Sequence, residues 1–299
     1  MHACKIKKIF LSILRMNSKA LYIFTLLLTS QILHAQSNSP DQKVAFKKFK
    51  ESSIKLHVFK PEKWKISDKR TAIIFFFGGG WTGGTPKQFY PHCRHLSKKG
   101  LIAISAEYRT KKSHNVEPMQ CVEDGKSAIR WVRANANLLG IDPNKVVAAG
   151  GSAGGHVAAC TGTITGFESG DLKFSSVPAA LILFNPVCDT SPAGYGNNRL
   201  GKNWKKISPL HHINKKTPPT CIFHGSADTT VPINNVLQFK KRMDDIGLRC
   251  ELHSYDGEKH GFFNFGRGDG TAYSDTVNKM DSFLDSLGLI GYPDKKNKK

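Results

Sequence analysis

The chain has 299 residues, 39% of them hydrophobic and 22% charged, a balance that suits a folded globular protein and excludes a disordered or collagen-like chain. Its 44 Lys/Arg against 23 Asp/Glu give a net charge of +21. The basic residues are dispersed and no nucleic-acid-binding motif accompanies them, so the surplus reads as solvated surface and no nucleic-acid partner is expected.

Residues 1–35 read as a targeting segment. Lys5, Lys7, Lys8, Arg15 and Lys19 supply positive charge, Ala20 to Leu33 is mostly apolar, and Leu33-His34-Ala35 offers a small-residue cleavage site. An apolar run of about 14 residues is short for a bilayer span of about 20. Cleavage and release to the periplasm or the exterior are therefore expected, with no stable membrane insertion. The segment holds five basic residues and no acid, which leaves the remainder at +16. Residues 36–52 read as a polar leader, 53–290 as one catalytic domain, and 291–299, ending Lys295-Lys296-Asn297-Lys298-Lys299, as a basic tail.

Beyond the leader, strand-like and helix-like patterns alternate. Thr71 to Phe77 is an apolar, β-branched and aromatic run that ends in glycines. Leu101 to Ala106 is a second short strand. Val122, Gly125, Ile129, Val132, Ala136 and Leu139 recur at three- and four-residue steps, one face of a helix that Gly140 ends. Val146 to Ala149 predicts a buried strand running into Gly150. Ala179 to Phe184, Thr220 to Phe223 and Cys250 to Tyr255 predict three more. Pro232 to Ile246 predicts a helix, and Tyr273, Val277, Met280, Phe283, Leu284 and Leu287 mark a last amphipathic one. Ser191 to Pro209, rich in Gly, Asn, Ser and Pro, predicts a long loop at the rim of a site. Alternation of this kind implies an α/β fold: a mostly parallel central sheet with helices on both faces.

Six cysteines follow the leader: Cys93, Cys121, Cys160, Cys188, Cys221 and Cys250. Cys160 and Cys221 sit in apolar runs where a buried free thiol is common, and zero to two disulfides are expected. No C-x-x-C or clustered His/Cys spacing suggests a metal site.

The chemistry is carried by loops that follow strands. Gly150-Gly151-Ser152-Ala153-Gly154 matches G-x-S-x-G between a strand and a helix, the context of a nucleophile elbow. A nucleophilic serine needs a base, and the base an orienting acid. Asp228, in His224-Gly225-Ser226-Ala227-Asp228, follows one strand, and His260, in Glu258-Lys259-His260-Gly261-Phe262, follows the next. The order Ser152, Asp228, His260 is the one this architecture uses. Competing acids are Asp189, Asp256 and Glu258; competing histidines are His211, His212 and His224. The backbone N–H groups of Gly79 and Gly80, in Gly78-Gly79-Gly80-Trp81, and of Ala153 are the candidate oxyanion donors. Trp81, Tyr195 and Trp204 are candidate stacking residues for a sugar or aromatic group.

Taken together, these motifs resemble the α/β-hydrolase superfamily. More narrowly, the chain resembles its hormone-sensitive-lipase-like and bacterial feruloyl- and acetyl-xylan-esterase-like branch, over roughly Ser53 to Leu289. The resemblance rests on Phe77-Gly78-Gly79-Gly80-Trp81, Glu107-Tyr108-Arg109, Ala128-Ile129-Arg130-Trp131, Gly150-Gly151-Ser152-Ala153-Gly154-Gly155-His156, His224-Gly225-Ser226-Ala227-Asp228 and His260-Gly261-Phe262. It implies that Tyr108, Arg109 and His156 are structural. The family's oxyanion motif begins with His where this chain has Phe77, which puts the loop's support in question more than the hole itself. Lipase-like relatives carry a helical cap before the first core strand. Here roughly 35 polar residues separate Ala35 from Thr71, too few for a full cap.

The resulting expectation is an exported serine esterase that removes acetyl or feruloyl groups from carbohydrates, a small-molecule or polysaccharide ester being the substrate, with no cofactor. The rivals are a general short-chain carboxylesterase or lipase, a prolyl-oligopeptidase-like peptidase, and a non-catalytic binding protein.

Overall fold

A computed structural model of the chain describes residues 39–291. The targeting segment and the basic tail beyond Gly291 lie outside those residues. The described residues from Pro40 to Gly291 fold as one compact unit.

Eight strands form a single sheet: β1 (Gln42–Lys48), β2 (Ser53–Phe59), β3 (Arg70–Phe76), β4 (Ile102–Ala106), β5 (Ile141–Gly151), β6 (Leu181–Phe184), β7 (Thr220–Gly225) and β8 (Cys250–Tyr255). Their spatial order is β1-β2-β4-β3-β5-β6-β7-β8. β2 runs antiparallel to both of its neighbours, β1 and β4, and every later pairing is parallel. Every residue of β3 is buried, as a strand covered on both faces requires.

Side chains alternate across that sheet and divide the core in two. From β3, Ala72, Ile74 and Phe76 join one cluster, while Ile73 and Phe75 join the other. The first cluster is closed by helices α2 (Pro118–Ala134), α3 (Ala153–Thr163) and α4 (Asn234–Asp245), through residues such as Ile129, Val157 and Phe239. The second is closed by α1 (Tyr90–Lys98) and α5 (Thr271–Ser286), through Leu96, Met280 and Phe283. This is the α/β-hydrolase architecture expected from the sequence.

Several elements depart from expectation. The polar leader contains β1, an edge strand whose residues are at most half-buried and whose pairing is bulged between Ala45 and Lys47. The helix expected through Leu139 stops at Ala134, where Asn135 leaves the helical path and its side-chain amide donates to the Trp131 carbonyl. A separate turn over Ala136–Leu139 then ends at Gly140 in a left-handed cap, φ 65°. The rim segment is not an extended loop. It holds helical turns at Asn197–Leu200, Gly201–Ile207 and Pro209–His212.

All six cysteines among the described residues are buried and free. No helix among those residues is long and apolar enough to cross a membrane.

Candidate active site

Strand β5 delivers Ser152 to the carboxyl edge of the sheet, where ligands meet open α/β sheets. Ser152 adopts φ 54° and ψ −122°, a conformation rare for a residue with a side chain, and starts α3 immediately afterwards. The turn is tight enough that only hydrogen fits at Gly154: a Cβ there would lie 2.0 Å from the Phe76 carbonyl oxygen. The elbow thus packs directly on the end of β3.

His260, after β8, brings its Nε2 to 2.9 Å from the Ser152 Oγ, and its Nδ1 lies 2.6 Å from Asp228 Oδ2. Asp228, after β7, is 5% exposed. Its second oxygen accepts the backbone N–H groups of Thr230 and Val231, each at 2.9 Å. Burial alone raises the pKa of this carboxyl, but hydrogen bonds from His260 and Val231 and the nearby imidazoles outweigh it and hold the pKa below the ordinary value. Asp228 is therefore an ionised partner for the histidine.

None of the competing residues contacts Ser152, although His224 Nε2 lies 3.4 Å from Asp228 Oδ2. Asp189 accepts from Ser191 and Ser208 in the rim segment, and Asp256 from Ser226. His224 is fully buried and meets the Val231 carbonyl at 2.8 Å.

The loop after β3 is tied down group by group. Tyr108 Oη donates to the Phe77 carbonyl at 2.7 Å, and its ring stacks on Phe77 with centroids 4.2 Å apart. The Gly79 carbonyl accepts from the N–H groups of Thr82 and Gly83. The Gly80 carbonyl accepts from Thr82 Oγ1 and from the Arg199 guanidinium. The Gly78 N–H is taken by Gln88 Oε1 at 2.6 Å. The N–H groups of Gly79, Gly80 and Ala153 have no protein acceptor among the described residues. Gly79 needs its φ of 128°, which a side chain at that position rarely adopts.

These residues surround a cavity of about 500 Å³ lined by Gly79, Gly80, Ser152, Tyr195, His260 and Phe263, among others. Of the three aromatic candidates for substrate stacking, Tyr195 lines it. Trp81 and Trp204 do not, which corrects the expectation. Trp81 is 1% exposed: its Nε1–H donates to His156 Nδ1 at 3.2 Å, and its ring lies edge-on to that imidazole. Trp204 packs on the Val122, Ile164 and Ile207 cluster and edge-on to His211. An indole in a glycine-rich or polar loop is more often a plug than a platform, because burying its large apolar face outweighs exposing it.

His156 is structural, as expected. Its Nε2 donates to the Ile207 carbonyl at 2.6 Å, and burial lowers its pKa to about 4. Arg109 holds the fully buried Asp124 with two side-chain bonds of 2.8 Å.

Among the cavity-lining residues not singled out from sequence are Gln88, Asn185 and Asn264. Asn185 had a local signal, since it lies between the apolar run of β6 and Pro186; in the structure it follows β6 with φ 32°. The other two lie in segments whose fold the sequence pattern did not reveal.

The family model BD-FAE matches residues 56–243. Among curated proteins, the chain is 25% identical to Esterase LipC of Mycobacterium tuberculosis over 252 residues, 75% of this chain and 61% of that one. It is 28% identical to the acetylxylan esterase of Xylanibacter ruminicola, over 64% of this chain and 41% of that one. It thus spans 41% to 61% of the length of these two relatives. Among solved structures, the apo form of Thermogutta terrifontis esterase 2 superposes with a TM-score of 0.81 at 47% identity, covering 84% of this chain and 96% of that one. A butyrate-bound structure of the same esterase gives 0.80 at 45% identity, covering 84% and 95%. The chain belongs to the BD-FAE family and has the α/β-hydrolase fold.

Proposed function

We propose that the protein is a carboxylic ester hydrolase selective for short acyl groups, with Ser152 as nucleophile. The observation that carries this reading is the Ser152–His260–Asp228 chain of 2.9 and 2.6 Å contacts at the wall of an open cavity. Ser152 Oγ attacks the ester carbonyl carbon while His260 Nε2 takes its proton. Charge accumulates on the carbonyl oxygen, facing the N–H groups of Gly79, Gly80 and Ala153. The C–O bond to the alcohol breaks, and His260 returns the proton to the leaving oxygen. Water, deprotonated by His260, then attacks the acyl-enzyme and releases the acid. Asp228 fixes the imidazole tautomer and stabilises its protonated form.

Selectivity for short chains is supported by the cavity itself. Phe263, 1% exposed, forms part of the wall and stacks against Phe89 and Phe184, so the wall is packed core rather than a tunnel. The butyrate and propionate named for the bound Thermogutta terrifontis esterase 2 structures agree in size. A carbohydrate alcohol, carrying acetyl first and feruloyl second, is the finer reading. It is supported by the polar rim of Thr85, Gln88, Asn264 and Tyr195 and by the likeness to an acetylxylan esterase.

The test is kcat/KM on p-nitrophenyl acetate, butyrate, octanoate and palmitate, alongside acetate release from acetylated xylan. A maximum at acetate or butyrate, with acetate released from the polymer, is expected. Values that rise through palmitate overturn the short-chain reading, and an absence of released acetate overturns the carbohydrate reading alone.

A further inference from the structure

The oxyanion loop and the histidine loop are joined by a chain of side-chain amides. The Gly78 N–H donates to Gln88 Oε1 at 2.6 Å. Gln88 Nε2 donates to Asn264 Oδ1 at 2.9 Å, across 176 residues of sequence. Asn264 Nδ2 donates to the Gly261 carbonyl at 2.8 Å. An amide oxygen and nitrogen are hard to tell apart by shape, but here the ends of the chain decide their orientation. A backbone N–H at one end can only donate, and a carbonyl at the other can only accept. Gln88 must therefore turn its oxygen to Gly78 and Asn264 its nitrogen to Gly261, and all three bonds run in one direction.

Each end of the relay abuts a reacting group. Gly78 precedes Gly79, a candidate oxyanion donor, and fixing the Gly78 N–H leaves the next two N–H groups to face the substrate. Gly261 follows His260. Its peptide is held from the other side as well, because its N–H donates to Asn185 Oδ1 at 2.9 Å. Asn185 Nδ2 lies 3.5 Å from His260 Nε2. Both loops hang off different strands, β3 and β8, which are not neighbours in the sheet. Beside the Phe89–Phe263 ring stack and the loops' separate contacts with the Ser152 elbow, this relay is the hydrogen-bonded link that refers one loop to the other.

We propose that Gln88 and Asn264 are positioning residues that set the oxyanion donors in register with His260. This rests on the reading of Ser152 and His260 given above. The relay touches no reacting atom in its role: it acts through Gly78 and Gly261. Its contribution is geometric, and a displacement of about 1 Å at such a site can cost roughly a hundredfold in rate.

The test compares Gln88→Ala, Asn264→Ala and the double variant of the full chain on p-nitrophenyl acetate, with Tm measured for each. Each single variant is expected to lose roughly tenfold to a hundredfold in kcat, with KM within about threefold of wild type, because the interaction serves the transition state rather than ground-state binding. The double variant should be little worse than the worse single, since breaking either link already interrupts the whole relay. A structural role alone does not produce this combination. The proposal is overturned if either single variant keeps more than about a third of wild-type kcat, if the loss lies in KM, or if the two losses multiply. Should Gln88→Ala lose more than about 5 °C in Tm, Asn264→Ala decides alone, its side chain being half-exposed at the cavity wall. Ser152→Ala separates the two readings. Retained activity there removes the nucleophile, whereas a dead Ser152→Ala beside near-wild-type relay variants removes only the relay.

Discussion

Ser152 is held where its hydroxyl has one strong partner. Its backbone N–H is spent on the Phe184 carbonyl at 2.9 Å, and its own carbonyl accepts from the N–H of His156, leaving Oγ to His260. On the proposed mechanism Ser152, His260 and Asp228 act as a unit. Ser152→Ala and His260→Ala are each expected to lower kcat about 10⁴-fold or more, and the double variant should be little worse than either. Neither change removes much packing, since both side chains reach the cavity, so Tm should stay within a few degrees. A His260→Ala protein that keeps more than about a tenth of wild-type kcat would be using another base. That these three residues come together was legible because each follows a strand end: Gly-x-Ser-x-Gly after β5, Asp228 after β7, His260 after β8. The role of Trp81 was not. Its burial depends on His156 in α3 and on Tyr195 and Arg199 in the rim segment, partners that are distant in sequence and close only once the chain has folded.

At the scale of elements, the β3 loop shows how this chain manages with Phe77. A histidine there could hydrogen-bond to neighbouring loops; a phenyl ring cannot. Support comes instead from the segment after β4, where Tyr108 both stacks on the Phe77 ring and donates to its carbonyl. Tyr108 is 2% exposed, so its hydroxyl has no solvent alternative. Tyr108→Phe keeps the stack and leaves the Phe77 carbonyl short of a buried donor. A loss of about 1 kcal/mol in stability is expected, together with a fall in kcat of several-fold as the oxyanion donors loosen. Unchanged kcat at the same loss of stability would mean that the stack alone holds the loop. The central strands were readable because β3, the second half of β5, β6 and β7 are covered on both faces and, apart from Arg70, Thr71, Thr220 and His224, consist of apolar residues and glycine. β1 was not readable, because an edge strand with one half-buried face mixes Lys43, Lys47 and Lys48 with Val44 and Phe46 and carries a bulge that breaks its alternation. Helix α1 was hidden similarly, its sequence Tyr-Pro-His-Cys-Arg-His-Leu-Ser-Lys showing only a narrow apolar stripe. The Gln88–Asn264 link had no local signal at all, since a pair of amides 176 residues apart has no period to detect.

At the scale of the whole molecule, each half of the core contains a histidine that is neutral because it is buried. His92 is fully enclosed on the α1 and α5 side, against Phe75, Phe89, Phe184, Phe263 and Tyr273, and neither ring nitrogen meets a protein partner among the described residues. Burial, with a smaller contribution from His95, lowers its pKa to about 3. His156, on the opposite face, is lowered by burial to about 4, against the opposing pull of the Ile207 carbonyl. In the unfolded chain both titrate near 6.5. The folded state then binds fewer protons than the unfolded one. The contribution to stability is complete above about pH 6.5 and is lost as pH falls toward about 4 for His156 and about 3 for His92. A tenfold difference in proton affinity between the folded and unfolded chain corresponds to about 1.4 kcal/mol, so at pH 4.5 His92 costs about 2–3 kcal/mol relative to neutral pH. Protonation of His156 does further damage, because its Nδ1 accepts from Trp81 and cannot do so once it carries a proton. Trp81 follows the oxyanion glycines, so acid should loosen the active-site loop along with the core. His92→Leu removes one of the histidines that must charge in acid and two unpaired nitrogens from an aromatic cluster, while roughly conserving volume. Its Tm at pH 7.5 is expected to equal or exceed that of wild type, and its loss of Tm between pH 7.5 and 4.5 should be smaller by about 4–12 °C, given about 2–4 °C per kcal/mol for a protein of this size. Parallel melting curves across that range would show that His92 is not a source of the acid sensitivity.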